Sequence, residues 1–150
     1  MGQNKANIST SYHLKNQKSD RLLVAILQLI GGLSFYLSEV DLFTLLWTTE
    51  ALANIVDNAV KYTEHGTITI STVSYEMFAR IDISDTGAGI SESEQSKIFT
   101  RFYRSKNVRE QEGVGIGLYL SRQIISGEGG YIKVASAPGK GSTFSIFLPK

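Results

Sequence analysis

Two pairs of segments with alternating apolar and polar residues constrain the fold more than any other feature of the sequence. Thr67–Ser74 and Met77–Asp85 are rich in β-branched residues and are joined by a short turn, which predicts a β-hairpin. Tyr131–Ala135 and Ser142–Leu148 predict a second hairpin around the turn Pro138-Gly139-Lys140-Gly141. Each strand then has one apolar face, and that face needs a second layer to cover it.

Three segments with helical spacing supply that layer. They are Trp47–His65, Ser91–Phe99 and Ile116–Ile125, and Gly66 and Gly127 are predicted to end the first and the third. The element order is helix, two strands, short helix, loop, helix, two strands. This order predicts an α+β fold, a two-layer α/β sandwich with a mixed, mostly antiparallel sheet and its helices on one face.

The composition of the chain narrows the classes of function. Its 150 residues predict one domain. The absence of cysteine excludes disulfide scaffolds, cysteine nucleophiles and thiolate metal sites, and two histidines are too few for a histidine-rich zinc site. A net charge of +1 argues against binding of nucleic acid by bulk charge.

The N-terminal part is less regular. Met1 to Asp20 is polar and aperiodic and has no signal-peptide pattern, which predicts a disordered terminus or residues added for expression. Leu22–Leu37 is apolar, but it contains polar and glycine residues and is shorter than the about 20 apolar positions of a membrane span. Its apolar residues recur at helical spacing, which favours a packing helix over a membrane span.

The helix predicted at Trp47–His65 carries a polar row opposite its apolar stripe. Its members recur at i, i+4, i+8 and i+11: Glu50, Asn54, Asn58 and Lys61. Two carboxamide oxygens one turn apart can bind Mg²⁺, and a lysine on the same side can meet a phosphate. The alternative is a solvated helix face, although asparagine is a poor helix former.

The segment 85–90, Asp-Thr-Gly-Ala-Gly-Ile, follows the second predicted strand. Asp85 has the parity of that strand's isoleucines, so its carboxylate extends the buried row and needs a hydrogen-bond donor, for which an adenine amino group is suited. Gly87 and Gly89 allow the backbone to approach a flat ring. The alternative is an ordinary turn with a solvated aspartate.

Two further segments carry candidate phosphate-binding groups. Gly113-Val114-Gly115-Ile116-Gly117-Leu118 opens directly into a helix, so its amides and the helix dipole can bind a polyphosphate; a mobile hinge is the alternative. No βαβ unit surrounds it, which excludes a dinucleotide-binding fold. Phe99-Thr100-Arg101-Phe102-Tyr103-Arg104 would bind phosphate if Arg101 or Arg104 turned towards it, and otherwise buries two aromatic rings.

In this order, the four features resemble the ATP-binding catalytic domain of bacterial sensor histidine kinases. The segments similar to that family's N box, first glycine box, F box and second glycine box are residues 54–63, 85–90, 99–104 and 113–117. Gly141-Ser142-Thr143-Phe144 and the later Leu148-Pro149 are similar to its closing strand. The resemblance covers about residues 47–150 and implies the Bergerat-type ATP-binding fold.

The resemblance also implies ATP and Mg²⁺ as cofactors. It gives catalytic roles to Asn54 and Asn58, as Mg²⁺ ligands, and to Lys61 on a phosphate. The residues implied to bind the nucleotide are Asn58, Lys61, Tyr62, Asp85, Gly87, Gly89, Ile90, Arg101, Gly113, Gly115, Gly117, Leu118 and Ser142. Tyr62 and Ile90 would flank adenine, Asp85 would accept its amino group, and Ser142 would support that contact through water. Ser96–Gly113 would form a lid.

The implied function is donation of the ATP γ-phosphate to a histidine on a dimerisation and phosphoacceptor domain, with a response regulator downstream. Gyrase B, MutL-type proteins and the large heat-shock chaperones hydrolyse ATP with a glutamate one turn before the Mg²⁺-binding asparagine, where this chain has Asn54. The alternatives are a nucleotide-responsive binding module without kinase output, or a related serine kinase or ATPase of the same fold.

The resemblance extends to the expected context of the domain. Residues 21–46 are predicted to be a helical remnant of the dimerisation region and linker. Ser11–Asn16 only faintly resembles the phosphoacceptor motif and lacks its proline, so His13 is not expected to be the acceptor. The chain is expected in the cytoplasm, as part of a membrane-anchored sensor that is dimeric at full length and binds no nucleic acid.

Overall fold

The computed structural model describes residues 7–13, 42–104 and 114–150. Its elements, in chain order, are β1 (Asn7–His13), α1 (Leu42–Lys61), β2 (Thr67–Ser74), β3 (Phe78–Asp85), α2 (Glu92–Gln95), α3 (Gly117–Gly127), β4 (Tyr131–Ser136) and β5 (Ser142–Pro149). The sheet has the strand order β1-β2-β3-β5-β4, with every neighbouring pair antiparallel. The predicted α+β sandwich is confirmed, and its sheet is antiparallel throughout the described strands rather than mixed.

One face of the sheet carries the hydrophobic core, beneath α1 and α3. Its fully buried side chains include Ile55 of α1, Ile125 of α3 and isoleucines of the three central strands. Every second residue of β3 and of β5 points into this layer, as the alternating sequence predicts. The buried row of β3 ends at Asp85, which pairs with Ser142 at the start of β5. Two polar residues therefore share one end of an otherwise apolar row.

The edge strand β1 differs from the prediction for the N-terminus. Residues 1–20 were predicted to be a disordered terminus or residues added for expression, whereas Asn7–His13 pairs along its whole length with β2. Backbone hydrogen bonds along a sheet edge can order a polar segment that no apolar stripe would reveal. The Ser11 hydroxyl adds a 3.2 Å hydrogen bond with that of Thr69. His13 is the last residue of the strand, opposite Thr67.

The helices also differ from their predicted bounds. Helix α1 begins at Leu42, so residues 42–46, predicted to belong to the linker, are part of the sandwich; it ends at Lys61 rather than His65. The short helix spans only Glu92–Gln95. Helix α3 includes Gly127, and the left-handed residue beyond it is Gly129, at φ 78°. The packing helix predicted at 22–37 lies outside the described residues, and none of the described helices is long and apolar enough to span a membrane.

The N-cap of α2 is Ser91, as its spacing to Glu94 predicts for a capping box. The Ser91 hydroxyl, however, donates to the Glu94 carboxylate at 2.6 Å and makes no side-chain cap bond to the backbone. The other Glu94 carboxylate oxygen accepts the Tyr103 hydroxyl at 3.0 Å. Glu94 therefore links the start of α2 to the segment that follows it.

Thr48 of α1 and Glu128, the C-cap of α3, join the two helices. The Thr48 hydroxyl lies 2.9 and 2.8 Å from the two carboxylate oxygens of Glu128. Burial raises the pKa of Glu128, and the hydrogen bond from Thr48 opposes this shift only in part. Because the folded-state pKa is raised, the carboxyl stabilises the fold at low pH and loses that contribution as the pH rises through the folded pKa.

We expect Glu128→Gln to unfold at a higher temperature than the wild type at about pH 7, where the wild-type carboxyl is charged. The neutral amide avoids the desolvation of a carboxylate and still accepts the Thr48 hydroxyl proton. At about pH 4 the difference in midpoint should shrink, because the wild-type carboxyl becomes protonated. Thermal unfolding followed by circular dichroism at both pH values tests this expectation. Glu64→Gln, at an exposed position, is the control. A lower unfolding midpoint for Glu128→Gln than for the wild type at neutral pH would contradict the expectation.

Candidate functional site

A cavity of about 540 Å³ opens beside the polar end of the core row. Its walls come from α1, the loop after β3, the start of α3 and the turn before β5. The residues predicted for the site that line it are Asn54, Asn58, Lys61, Tyr62, Asp85, Gly89, Ile90, Gly115, Gly117, Leu118 and Ser142. The structure thus brings together most of the predicted residues from four separate segments of the chain.

The α1 wall presents the two asparagines one turn apart. The Asn58 side-chain nitrogen donates to the Asn54 backbone oxygen at 3.0 Å, so its amide oxygen is the atom left for a ligand. The Asn54 side-chain nitrogen is buried without a hydrogen-bond partner among the described residues. Glu50, which shares the spacing of this row, is exposed and does not line the cavity. The polar row is therefore part of a cavity wall from Asn54 onwards.

Asp85 is the buried acid of the site, with 9% of its surface exposed. The Gly87 amide donates to its Oδ1 at 2.8 Å. Burial raises the pKa of Asp85, while hydrogen bonding by the Gly87 and Ser142 amides lowers it by less. A ligand that donates a hydrogen bond to this carboxylate would offset part of its lost hydration.

The loop after β3 is held between two other segments. The Ala88 amide donates to the Tyr62 backbone oxygen at 3.2 Å, and the Gly139 amide donates to the Ala88 oxygen at 2.7 Å. Gly87 does not line the cavity; a side chain there would collide with the Tyr62 backbone oxygen. The predicted close approach at Gly87 is therefore to the end of α1, behind the cavity.

The glycine segment before α3 forms the opposite wall. Gly115 has a left-handed φ of 74°, and its carbonyl accepts the Phe102 amide at 2.9 Å. Gly117 begins α3 beside the Asn54 side chain. Gly113 lies outside the described residues, as does the part of the predicted lid from 105 onwards.

The two arginines of the 99–104 segment point to different places. Arg101 lies outside the cavity, with its guanidinium carbon 5.4 Å from the Phe102 ring centroid and 5.5 Å from that of Tyr119. Arg104 lines the cavity, and its charge lowers the pKa of Tyr62 against the larger effect of burial, which raises it. Between them Phe102 adopts a left-handed φ of 62°, which redirects the chain. The structure therefore brings Arg104, and not the predicted Arg101, into the site.

Sequence reasoning left several lining residues out of the site. They are Asp57, Ala88, Ser91, Glu94, Ile98, Tyr103, Val114, Ile116, Pro138 and Phe144. Most lie within or next to the motifs already singled out, and that adjacency is the only signal that could have indicated them. No cluster of three or more His, Cys, Asp or Glu side chains suited to a metal ion occurs in the described parts of the chain.

Comparison with known proteins gives matches over this region. The family described as "Histidine kinase-, DNA gyrase B-, and HSP90-like ATPase" matches residues 46–150. The chain is similar to the circadian input-output histidine kinase CikA of Synechococcus elongatus (39% identical over 104 residues) and the sensor protein SrrB of Staphylococcus aureus (40% over 104 residues). Each match covers 67% of this chain, but only 14% of CikA and 18% of SrrB.

Solved structures share the fold. A mycobacterial sensor histidine kinase, MprB, superposes with a TM-score of 0.65 at 22% identity, over 95% of this chain and 97% of that one. The full-length ShkA structure in complex with AMPPNP gives a TM-score of 0.66 at 21% identity, over 93% of this chain and 31% of that one. At these sequence identities the likeness shows that the chains share a fold, that is, the same arrangement of helices and strands.

Proposed function

Because the chain belongs to the family of histidine kinase-, DNA gyrase B- and HSP90-like ATPases, we propose that it is the ATP-binding catalytic domain of a two-component sensor histidine kinase. In this proposal the domain donates the γ-phosphate of ATP to a histidine on a phosphoacceptor domain. The observation that carries it is the lining of the cavity, which combines a buried carboxylate, Asp85, with the α1 asparagines Asn54 and Asn58 and the cationic side chains of Lys61 and Arg104. The names of the related kinases support the same assignment.

At the Asp85 end the cavity suits an adenine ring. The carboxylate would accept the exocyclic amino group, and Ser142 would support that contact through a water molecule. Tyr62 and Ile90, which both line the cavity, would flank the ring. Gly89, at φ 71°, lies against the Ala137 carbonyl, so the loop can turn beneath the base without a side chain in the way.

The side chains that α1 contributes to the cavity suit phosphates and one divalent ion. The carboxamide oxygens of Asn54 and Asn58 would hold Mg²⁺, which needs few protein ligands when phosphates supply others. The fit is supported by the Asn58 amide, whose nitrogen is committed to the backbone and whose oxygen is left for a ligand. When bound, the ion would neutralise charge on the phosphates. Lys61 and Arg104 add positive charge, and the amides around Gly115 and Gly117 add donors.

The arrangement favours transfer of the phosphate over its hydrolysis. Asn54 stands where hydrolytic relatives are expected to have a glutamate, and an amide does not accept a proton from water. Glu50, one turn earlier on the helix, is exposed and outside the cavity. Catalysis by this chain would then consist of positioning and electrostatic stabilisation, while the nucleophile belongs to the partner.

The partners and location follow from this assignment as further parts of the proposal. They are a phosphoacceptor histidine domain, a response regulator beyond it, and a second copy in the full-length dimer. The location proposed is the cytoplasm, within a membrane-anchored sensor. The chain spans between 14% and 18% of the CikA and SrrB sequences, so these partners and the anchor would lie in other parts of a longer protein.

A transfer experiment tests the proposed function. The chain is incubated with γ-labelled ATP and Mg²⁺, with and without a separately prepared phosphoacceptor domain, and label on protein and free phosphate are both measured. We expect labelled acceptor domain and no steady release of phosphate from the chain alone. Binding of ATP without transfer would instead support a nucleotide-responsive module, and steady release would support an ATPase.

A further inference from the structure

Three polar side chains form a row across the end of the sheet, beside the cavity. Asp85 on β3 pairs with Ser142 on β5, which in turn pairs with Ser136 on β4. Asp85 and Ser142 are buried and line the cavity, whereas Ser136 stands behind them and does not line it. Ser136 is therefore one step removed from any ligand.

The hydrogen bonds of Ser136 use its whole capacity. Its hydroxyl oxygen accepts the Ile90 amide at 2.8 Å and lies 2.8 Å from the Gly141 carbonyl oxygen and 2.9 Å from the Ser142 hydroxyl oxygen. A carbonyl oxygen cannot donate, so the single Ser136 proton goes to Gly141. The proton between the two hydroxyls must then come from Ser142.

The position of Ser136 is itself fixed by a neighbouring segment. The Gln95 side-chain nitrogen donates to the Ser136 backbone oxygen at 2.8 Å and to the Ile90 oxygen at 3.3 Å. The Ser136 hydroxyl thus forms hydrogen bonds both with the start of β5 and with the loop after β3. The Ser142 proton has a fixed partner, and only the lone pairs of the Ser142 oxygen are left for the cavity.

We propose that Ser136 is a positioning residue for base selection, which orients the Ser142 hydroxyl so that the Asp85 end of the cavity presents acceptors only. The inference rests on the proposed function, because it concerns the base of the bound nucleotide. Two acceptors select a purine with an amino group at C6 and disfavour one with a carbonyl there. A bridging water that donates one proton to each acceptor offers the base a lone pair, which accepts from an amino group at C6 and repels a carbonyl there.

Inosine triphosphate is the probe, because its base has a carbonyl where ATP has the amino group. Dissociation constants for ATP and inosine triphosphate, both with Mg²⁺, are measured by calorimetry on the full chain and on its variants. In Ser136→Ala the Ser142 proton is released and can turn towards a carbonyl. We expect the preference for ATP to fall roughly tenfold, as for one misplaced hydrogen bond, while ATP still binds. Ser136→Thr, which keeps the hydroxyl, should retain the preference.

A double substitution separates this role from a merely structural one. Ser142→Ala removes the second acceptor and leaves the Ser136 bonds to Ile90 and Gly141 in place, so it should also lower the preference. Adding Ser136→Ala in that background should change the preference no further. An unchanged preference in Ser136→Ala, whatever Ser142→Ala does, or an equal loss of affinity for both nucleotides in Ser136→Ala, overturns the inference. When the inference is overturned but the wild type binds ATP, the proposed function still stands. When the wild type binds neither nucleotide, the proposed function itself fails.

Discussion

Asp85→Asn should lower the affinity for ATP by roughly a hundredfold. A hydrogen bond to a charged group contributes about 1.5–3 kcal/mol, and each 1.4 kcal/mol is about a factor of ten in affinity. The asparagine would in addition turn an amide N–H₂ towards either the base or the donors that already surround Asp85, the Gly87 and Ser142 amides. Calorimetric titration with a non-hydrolysable ATP analogue measures the change.

Asp82→Asn is the matched control for this substitution. Asp82 lies on the same strand but on the opposite face of the sheet, where its carboxylate pairs with the Arg80 side chain at 3.0 Å. The Asp82→Asn protein should bind the ATP analogue as the wild type does. If circular dichroism shows that the Asp85→Asn protein is folded and its titration curve equals that of the wild type, the proposed contact between Asp85 and the base is wrong.

Asn58→Ala should abolish most of the effect of Mg²⁺ on ATP affinity, a loss of at least about tenfold in the presence of the ion. The substitution removes the amide oxygen proposed to hold the ion, together with the amide nitrogen that donates to the Asn54 carbonyl at 3.0 Å. Without Mg²⁺, in the presence of a chelator, variant and wild type should bind ATP more nearly alike. The comparison of titrations with and without the ion therefore isolates the metal-dependent part.

Glu50→Ala serves as the control on the same helix. Glu50 has the sequence spacing of the polar row but is exposed and outside the cavity, so its loss should leave both titrations unchanged. Equal responses of Asn58→Ala and the wild type to Mg²⁺ would show that the ion is held elsewhere. A similar effect of both variants would point to a general disturbance of α1 rather than to the loss of a ligand.

The parts of the structure that sequence predicts well are those governed by a repeating pattern. The strand Thr67–Ser74 has its predicted bounds, because alternation and the flanking turns determine them together. Asp85 extends the buried row of its strand, as parity predicts. The family relationship predicted from four short motifs in a fixed order is confirmed by the match over residues 46–150.

The parts that sequence misses depend on contacts between distant segments. Strand β1 is defined by its pairing with β2 rather than by its own apolar pattern. The choice between Arg101 and Arg104 depends on the left-handed backbone at Phe102, a conformation that phenylalanine rarely adopts and that no local pattern indicates. Ser136 belongs to none of the motifs, and its hydroxyl joins two distant parts of the chain, Ile90 on one side and Gly141 and Ser142 on the other.

The loop after β3 is held by the end of α1 on one side and by the β4–β5 turn on the other. The unfolded chain has no counterpart to a pocket assembled from such distant pieces, so a molecule that binds there must shift the folding equilibrium by mass action. At a concentration one hundred times its dissociation constant, a ligand adds about 2.7 kcal/mol to the free energy of unfolding. A cell rich in the nucleotide would thereby protect this domain from proteases that act on opened chains.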